Sequence, residues 1–134
     1  MTGPPGCVPE RNGGRSRGTA DAVVARRRAE RDSLIAVARG WAGRAGPALG
    51  AQAMVLVGSV ARGDFNKWSD IDVLVIGDGL PAEFRAALAL LAADAPPGVQ
   101  PVGWSRTELA RRRQIGDPIA READTVGRVV LGSI

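Results

Sequence analysis

The chain has 134 residues, 45% of them hydrophobic, and a formal charge of +4 carried mostly by arginine. Histidine is absent and Cys7 is the single cysteine, which excludes His-based zinc sites, His-containing triads and an internal disulfide framework. That length suits one domain with its own core.

Met1 to Gly18 has no apolar stretch of the secretory kind. No apolar run reaches the roughly 20 residues needed to span a bilayer, so the expectation is a cytoplasmic protein with no membrane partner. The arginines are scattered and few aromatics accompany them. Composition bias explains this better than a nucleic-acid surface does.

Residues 1–19 are rich in Gly, Pro, Arg and Ser and read as a disordered basic tail. One domain is expected over residues 20–134, with its core at about 34–131. A helix is predicted from Ala20 to about Ala45, with Leu34, Val37, Ala38, Trp41, Ala42 and Ala45 on one face. Gly46-Pro47 is expected to end it. Ala51 to Val57 reads as a strand covered on both faces, and Ser59 to Ala61 as a short helical turn.

Asp70 to Ile76 reads as the second strand, closed by Gly77-Asp78-Gly79. Pro81 is suited to the first turn of a helix reaching about Ala93, with Phe84, Ala87, Leu88 and Leu91 on one face. Val99 to Trp104 predicts an edge strand, because Pro101 cannot donate to a ladder. Ser105 and Glu108 form a capping box for a basic helix through Arg111-Arg112-Arg113. Gly116 stops that helix. Asp117-Pro118 starts another, and Arg128 to Leu131 is a last strand. The fold class is α/β of the α+β kind: a small mixed sheet of three to four strands with helices packed against it.

The rest of the chain is organised around Met54 to Ile76. Here Gly58-Ser59 follows an apolar run, and Asp70-Ile71-Asp72 opens another. Alternate residues of a strand share a face, so Asp70 and Asp72 point the same way about 7 Å apart. Two carboxylates that close favour a cation between them, and Mg²⁺ is the natural oxygen-seeking choice. A glycine turn from strand to helix exposes backbone N–H groups to phosphate. Metal beside phosphate is the combination that phosphoryl or nucleotidyl transfer requires.

Gly58-Ser59-Val60-Ala61-Arg62-Gly63, a spacer, and Ser69-Asp70-Ile71-Asp72-Val73 resemble the signature of the DNA polymerase β-like nucleotidyltransferase superfamily. The similarity is to its minimal, antitoxin-type branch. Either block alone is an ordinary turn or strand entry; both in this order and separation are specific. The resemblance implies that Asp70 and Asp72 are catalytic metal ligands for two Mg²⁺ ions, with Mn²⁺ as a substitute. It implies that Gly58 and Ser59 bind nucleotide phosphates. Arg62 either joins them or caps the local structure.

The superfamily also uses a third carboxylate on the neighbouring strand, and the position that corresponds here is Gln100. Glutamine takes no proton usefully and is a poor ligand beside carboxylate. Asp94 and Glu108 are the nearest acids, and each has a structural explanation.

Three readings remain. An active enzyme transfers NMP, AMP from ATP, to a hydroxyl on a protein or small molecule, and the resemblance implies an antitoxin paired with a HEPN-type toxin. A degenerate member binds nucleotide and acts by protein contact, alone or as an oligomer. An interaction subunit has no nucleotide role, and the intact Gly-Ser and Asp-Ile-Asp blocks argue against it.

Overall fold

The computed structural model describes residues 7–134, with side chains from residue 19 onward. Elements run in the order α1 (Cys7–Leu49), β1 (Ala53–Val57), α2 (Gly58–Arg62), β2 (Ile71–Ile76), α3 (Phe84–Asp94), β3 (Val99–Trp104), α4 (Arg106–Gln114), α5 (Pro118–Thr125) and β4 (Arg128–Gly132). Two compact units divide the chain, Met1–Ser33 and Leu34–Ile134. In the first, the helix assignment starts at Cys7, N-terminal to the expected start at Ala20. Extending a helix that is already nucleated costs far less than starting one. The first six residues of the expected tail lie outside the described residues.

The second unit holds one sheet, ordered β3-β2-β1-β4. β1 pairs antiparallel with β2 and β4, and β2 pairs parallel with β3. A parallel neighbour requires a crossover, and α3 supplies it. Gly103 of β3 lets α3 approach closely: a Cβ there would meet Leu91 Cδ1 at 2.7 Å and Leu80 Cδ1 at 2.9 Å. β3 is an edge strand, which accommodates Pro101.

All five residues of β1 are buried, because both sheet faces are covered. One face packs Met54, Leu56, Val73 and Val75 against Ile35, Ala38, Trp41 and Ala42 of α1 and Leu91 of α3. The other packs Val55, Val57, Leu74 and Ile76 against Leu109 of α4 and Ala120 and Ala123 of α5. Within α1 the buried stripe is Ile35, Ala38, Trp41, Ala42 and Ala45, whereas Val37 is exposed. The stripe therefore lies rotated from the expected one: Ile35 is buried, and Leu34 only flanks the core.

Gly46-Pro47 does not end α1. Pro47 lies inside its last turn, and the stop comes at Gly50, with φ +68°. Ala51 N–H donates to Gly46 O at 2.9 Å and Gly50 N–H to Pro47 O at 3.2 Å, which is a Schellman closure. The same pair of bonds ends α4 at Gly116, with Asp117 N–H on Arg112 O and Gly116 N–H on Arg113 O.

α3 begins at Phe84 rather than Pro81. Glu83 is its N-cap, and its carboxylate accepts from Arg85 and Ala86 N–H. Ser105 caps α4 as expected, accepting Glu108 N–H. The reciprocal half of the box is not made. The Glu108 carboxylate takes Arg111 and Arg112 instead, since a charged donor is the stronger partner. Asp117 caps α5, with Pro118 at its start.

Candidate active site

The site forms where β1 ends and β2 begins. Gly58 follows Val57 with φ +77°, a conformation open to glycine at little cost. The chain then makes the single helical turn of α2. It closes at Gly63, φ 92°, where Gly63 and Asp64 N–H both donate to Ser59 O.

The segment leading to β2 is built as a locked turn. Phe65 is buried in the core. Asn66 Oδ1 accepts Trp68 N–H at 2.8 Å, and Ser69 Oγ accepts Asn66 N–H at 2.9 Å. These side-chain bonds mimic backbone turn bonds. Trp68 stands 80% exposed with the Lys67 ammonium 5.0 Å from its ring centre, so both belong to the loop surface.

This turn delivers Asp70 just before β2 and Asp72 within it. Asp72 pairs in register with Val57 of β1 on one side and with Gln100 of β3 on the other. The three sequence-predicted groups therefore meet: the Gly58-Ser59 turn, the Asp70/Asp72 pair, and Gln100 beside Asp72. A cavity of about 420 Å³ is lined by Gly58, Arg62, Asp72 and Gln100 together with Phe84, Leu88 and Ile119, whereas Ser59 and Asp70 lie outside its lining. Phe84 and Leu88 lie on α3 and are partly exposed, giving the cavity an apolar wall.

Burial pushes the Asp72 carboxyl above its ordinary value, and the like charges of Asp70 and Glu122 push the same way, while Arg62 opposes them. The direction is that of an acid short of positive charge. Among the described residues no group of three or more His, Cys, Asp or Glu is disposed to hold a metal ion. Two carboxylates suffice for Mg²⁺ when substrate phosphates and water complete its shell. The donor set of Asp70 and Asp72 fits that arrangement.

The sequence reading missed Glu122. It enters from α5 and lines the same cavity. Its Oε1 accepts Gly58 N–H at 2.9 Å and its Oε2 accepts Arg62 Nη1 at 2.6 Å. Arg62 also donates through Nε to Asp64 Oδ2 at 3.3 Å. One signal for Glu122 was present: it sits beside Ile119 and Ala123 on the inward face of α5, where a carboxylate is out of place unless a donor awaits it.

The other acids weighed for the vacant third position are engaged elsewhere. Asp94 Oδ2 accepts Trp41 Nε1–H at 3.1 Å in the layer of α1 and α3. Glu108 is held by Arg111 and Arg112. The basic run of α4 is internally paired as well: Arg112 also reaches Asp117 and stacks 4.9 Å from the Trp104 ring centre, and Arg113 pairs with Asp124. No helix among the described residues is long and apolar enough to cross a membrane.

Comparison with known proteins agrees with this architecture. The fold is similar to a crystal structure of a protein from Sulfolobus solfataricus described as a putative nucleotidyltransferase, with TM-score 0.53 and 18% identity over 60% of this chain and 75% of that one. No curated protein sequence matches the chain. The family model for the nucleotidyltransferase domain matches residues 48–121, more than half of the chain. That span contains Gly58, Ser59, Arg62, Asp70, Asp72 and Gln100, and the chain belongs to the nucleotidyltransferase domain family.

Proposed function

We propose that this chain is a metal-dependent nucleotidyltransferase that moves AMP from ATP to a hydroxyl on a partner protein or small molecule. The observation that carries the reading is that Asp72, two residues after Asp70, lines one cavity together with Gly58 and Arg62. Carboxylates to hold a cation face donors to hold phosphates. Asp70 and Asp72 would hold Mg²⁺ or Mn²⁺, which supplies charge neutralisation at the transferring phosphoryl group. Gly58 N–H, the Ser59 turn and Arg62 bind the β- and γ-phosphates and fix their direction. The acceptor oxygen bonds to the α-phosphorus, the bond to pyrophosphate breaks in line with it, and the acceptor proton passes to water, since Gln100 has no basic site.

The resemblance of the Gly58–Gly63 and Ser69–Val73 blocks to the minimal, antitoxin-type branch favours a protein acceptor, such as a HEPN-type toxin for which this chain serves as antitoxin. Gln100 beside Asp72 favours a second reading, a nucleotide-binding module that acts by contact. The test is incubation with α-labelled ATP and Mg²⁺ or Mn²⁺ in host extract. Label on a protein or small molecule that vanishes in Asp70→Asn and Asp72→Asn is the expected result. Absence of label together with metal-dependent ATP binding selects the contact module.

A further inference from the structure

Glu122 is the acid of the cavity that no motif accounts for. Both its oxygens are committed, one to the Gly58 N–H at 2.9 Å and one to the Arg62 guanidinium at 2.6 Å. A backbone N–H and a guanidinium are also the donors that a phosphate oxygen pair seeks. The Glu122 side chain is only 29% exposed, so these charge-assisted bonds are partly shielded from water and correspondingly firm. The arrangement is a carboxylate seated where the nucleotide reading puts a phosphate.

We propose that Glu122 is an intramolecular phosphate substitute that sets a charge threshold for entry. It occupies the Gly58–Arg62 donor pair until a ligand with more charge displaces it, so that the site accepts the metal complex of a triphosphate and rejects monophosphates. The inference rests on the nucleotide reading of the site and names the residue that sets its affinity threshold. Displacement leaves the donors in place, because they belong to α2 and its entry whereas Glu122 belongs to α5. It also carries one negative charge away from Asp72, which faces Glu122 and Asp70 together with Arg62. The cost of displacement falls on every ligand equally. A triphosphate with its cation recovers that cost through additional contacts, and a monophosphate does not.

The test is equilibrium dialysis of Mg·ATP and AMP against the full chain, with Glu122→Gln and Glu122→Ala. Both variants are expected to bind Mg·ATP roughly tenfold tighter and to gain measurable AMP binding, in keeping with the loss of a charge-assisted competitor. Asp64→Ala, which frees Arg62 of a longer and more exposed partner, should stay within about twofold of the parent. Equal or weaker Mg·ATP binding by folded Glu122 variants overturns the proposal and leaves the nucleotide reading standing. Failure of parent and variants alike to bind ATP or inorganic tripolyphosphate removes both.

Should the variants not fold, the parent is titrated with tripolyphosphate and the Gly58 amide resonance followed. A large Gly58 shift at saturation supports exchange of Glu122 for phosphate. Saturation that leaves Gly58 unmoved overturns it.

Discussion

Gly58 and Asp72 interlock: a Cβ added at Gly58 would stand 2.2 Å from Asp72 Oδ2 and 3.1 Å from its Cγ. The missing side chain is what gives this carboxylate its place. The glycine of the turn thus serves Asp72 as well as the backbone, whose φ of +77° already favours glycine. Gly58→Ala should lower stability by about 1–3 kcal/mol through combined strain and displacement. It should also cost metal-dependent nucleotide binding, because Asp72 must swing away. Thermal melting and calorimetric titration with Mg·ATP read the two effects separately.

Asp72 is half-buried among like charges. Replacing it with the isosteric amide relieves that repulsion. Asp72→Asn is therefore expected to melt above the parent at neutral pH without ligand, while Mg²⁺ no longer raises its melting temperature in the presence of ATP. A lower melting temperature for the variant would mean that the carboxylate has a structural partner that the geometry does not show.

Gln100 stands in register with Asp72, so Gln100→Asp adds a carboxylate beside Asp72 in the cavity that Glu122 also lines. Without metal the variant should be less stable than the parent, because repulsion grows. With Mg²⁺ or Mn²⁺ the difference should shrink or reverse, and transfer of label from ATP should rise. The comparison needs only melting curves with and without metal, followed by the transfer assay.

Glu108 contributes to the acid limb of stability. Hydrogen bonds from Arg111 and then Arg112 hold the Glu108 carboxyl down at about 2 against an ordinary 4.5. Because the folded value is the lower one, this stabilisation is full above the ordinary value and is lost as pH falls from about 4.5 towards 2. Asp78 is lowered by Arg106, and at Asp117 burial pushes up but the Arg112 bond and the α5 cap bonds together outweigh it; both act with the same sign. Glu108→Gln should lower the plateau at neutral pH and flatten the decline below pH 4.5. An unchanged acid titration in that variant would place the loss elsewhere.

Much of this was legible in the sequence because the signals were local. The caps Ser105 and Asp117, the stop at Gly116 and the alternation at Asp70-Ile71-Asp72 each depend on neighbours within a few residues. The end of α1 differs from the expectation because Gly46-Pro47 carries a strong breaker signal, yet the cost of Pro47 is offset by the burial of Ala42 and Ala45 in the turn before it. In addition, Gly46 lies against Leu131 and Met54, a reason for glycine that only the tertiary fold supplies. The start of α3 was misplaced because Glu83 can cap a helix from a position where Pro81 only leads into it. Glu122 went unread because its meaning depends on two donors far away in the chain.

That distance has a consequence for how the domain assembles. The Gly58–Glu122 bond spans 64 residues, whereas Asp72 pairs with Val57, the last residue of β1. Contacts close in the chain form before distant ones, since less chain must be closed into a loop. During folding the β1–β2 pair can therefore form, with Asp72 beside Val57, before α5 brings Glu122 to the Gly58 N–H and Arg62.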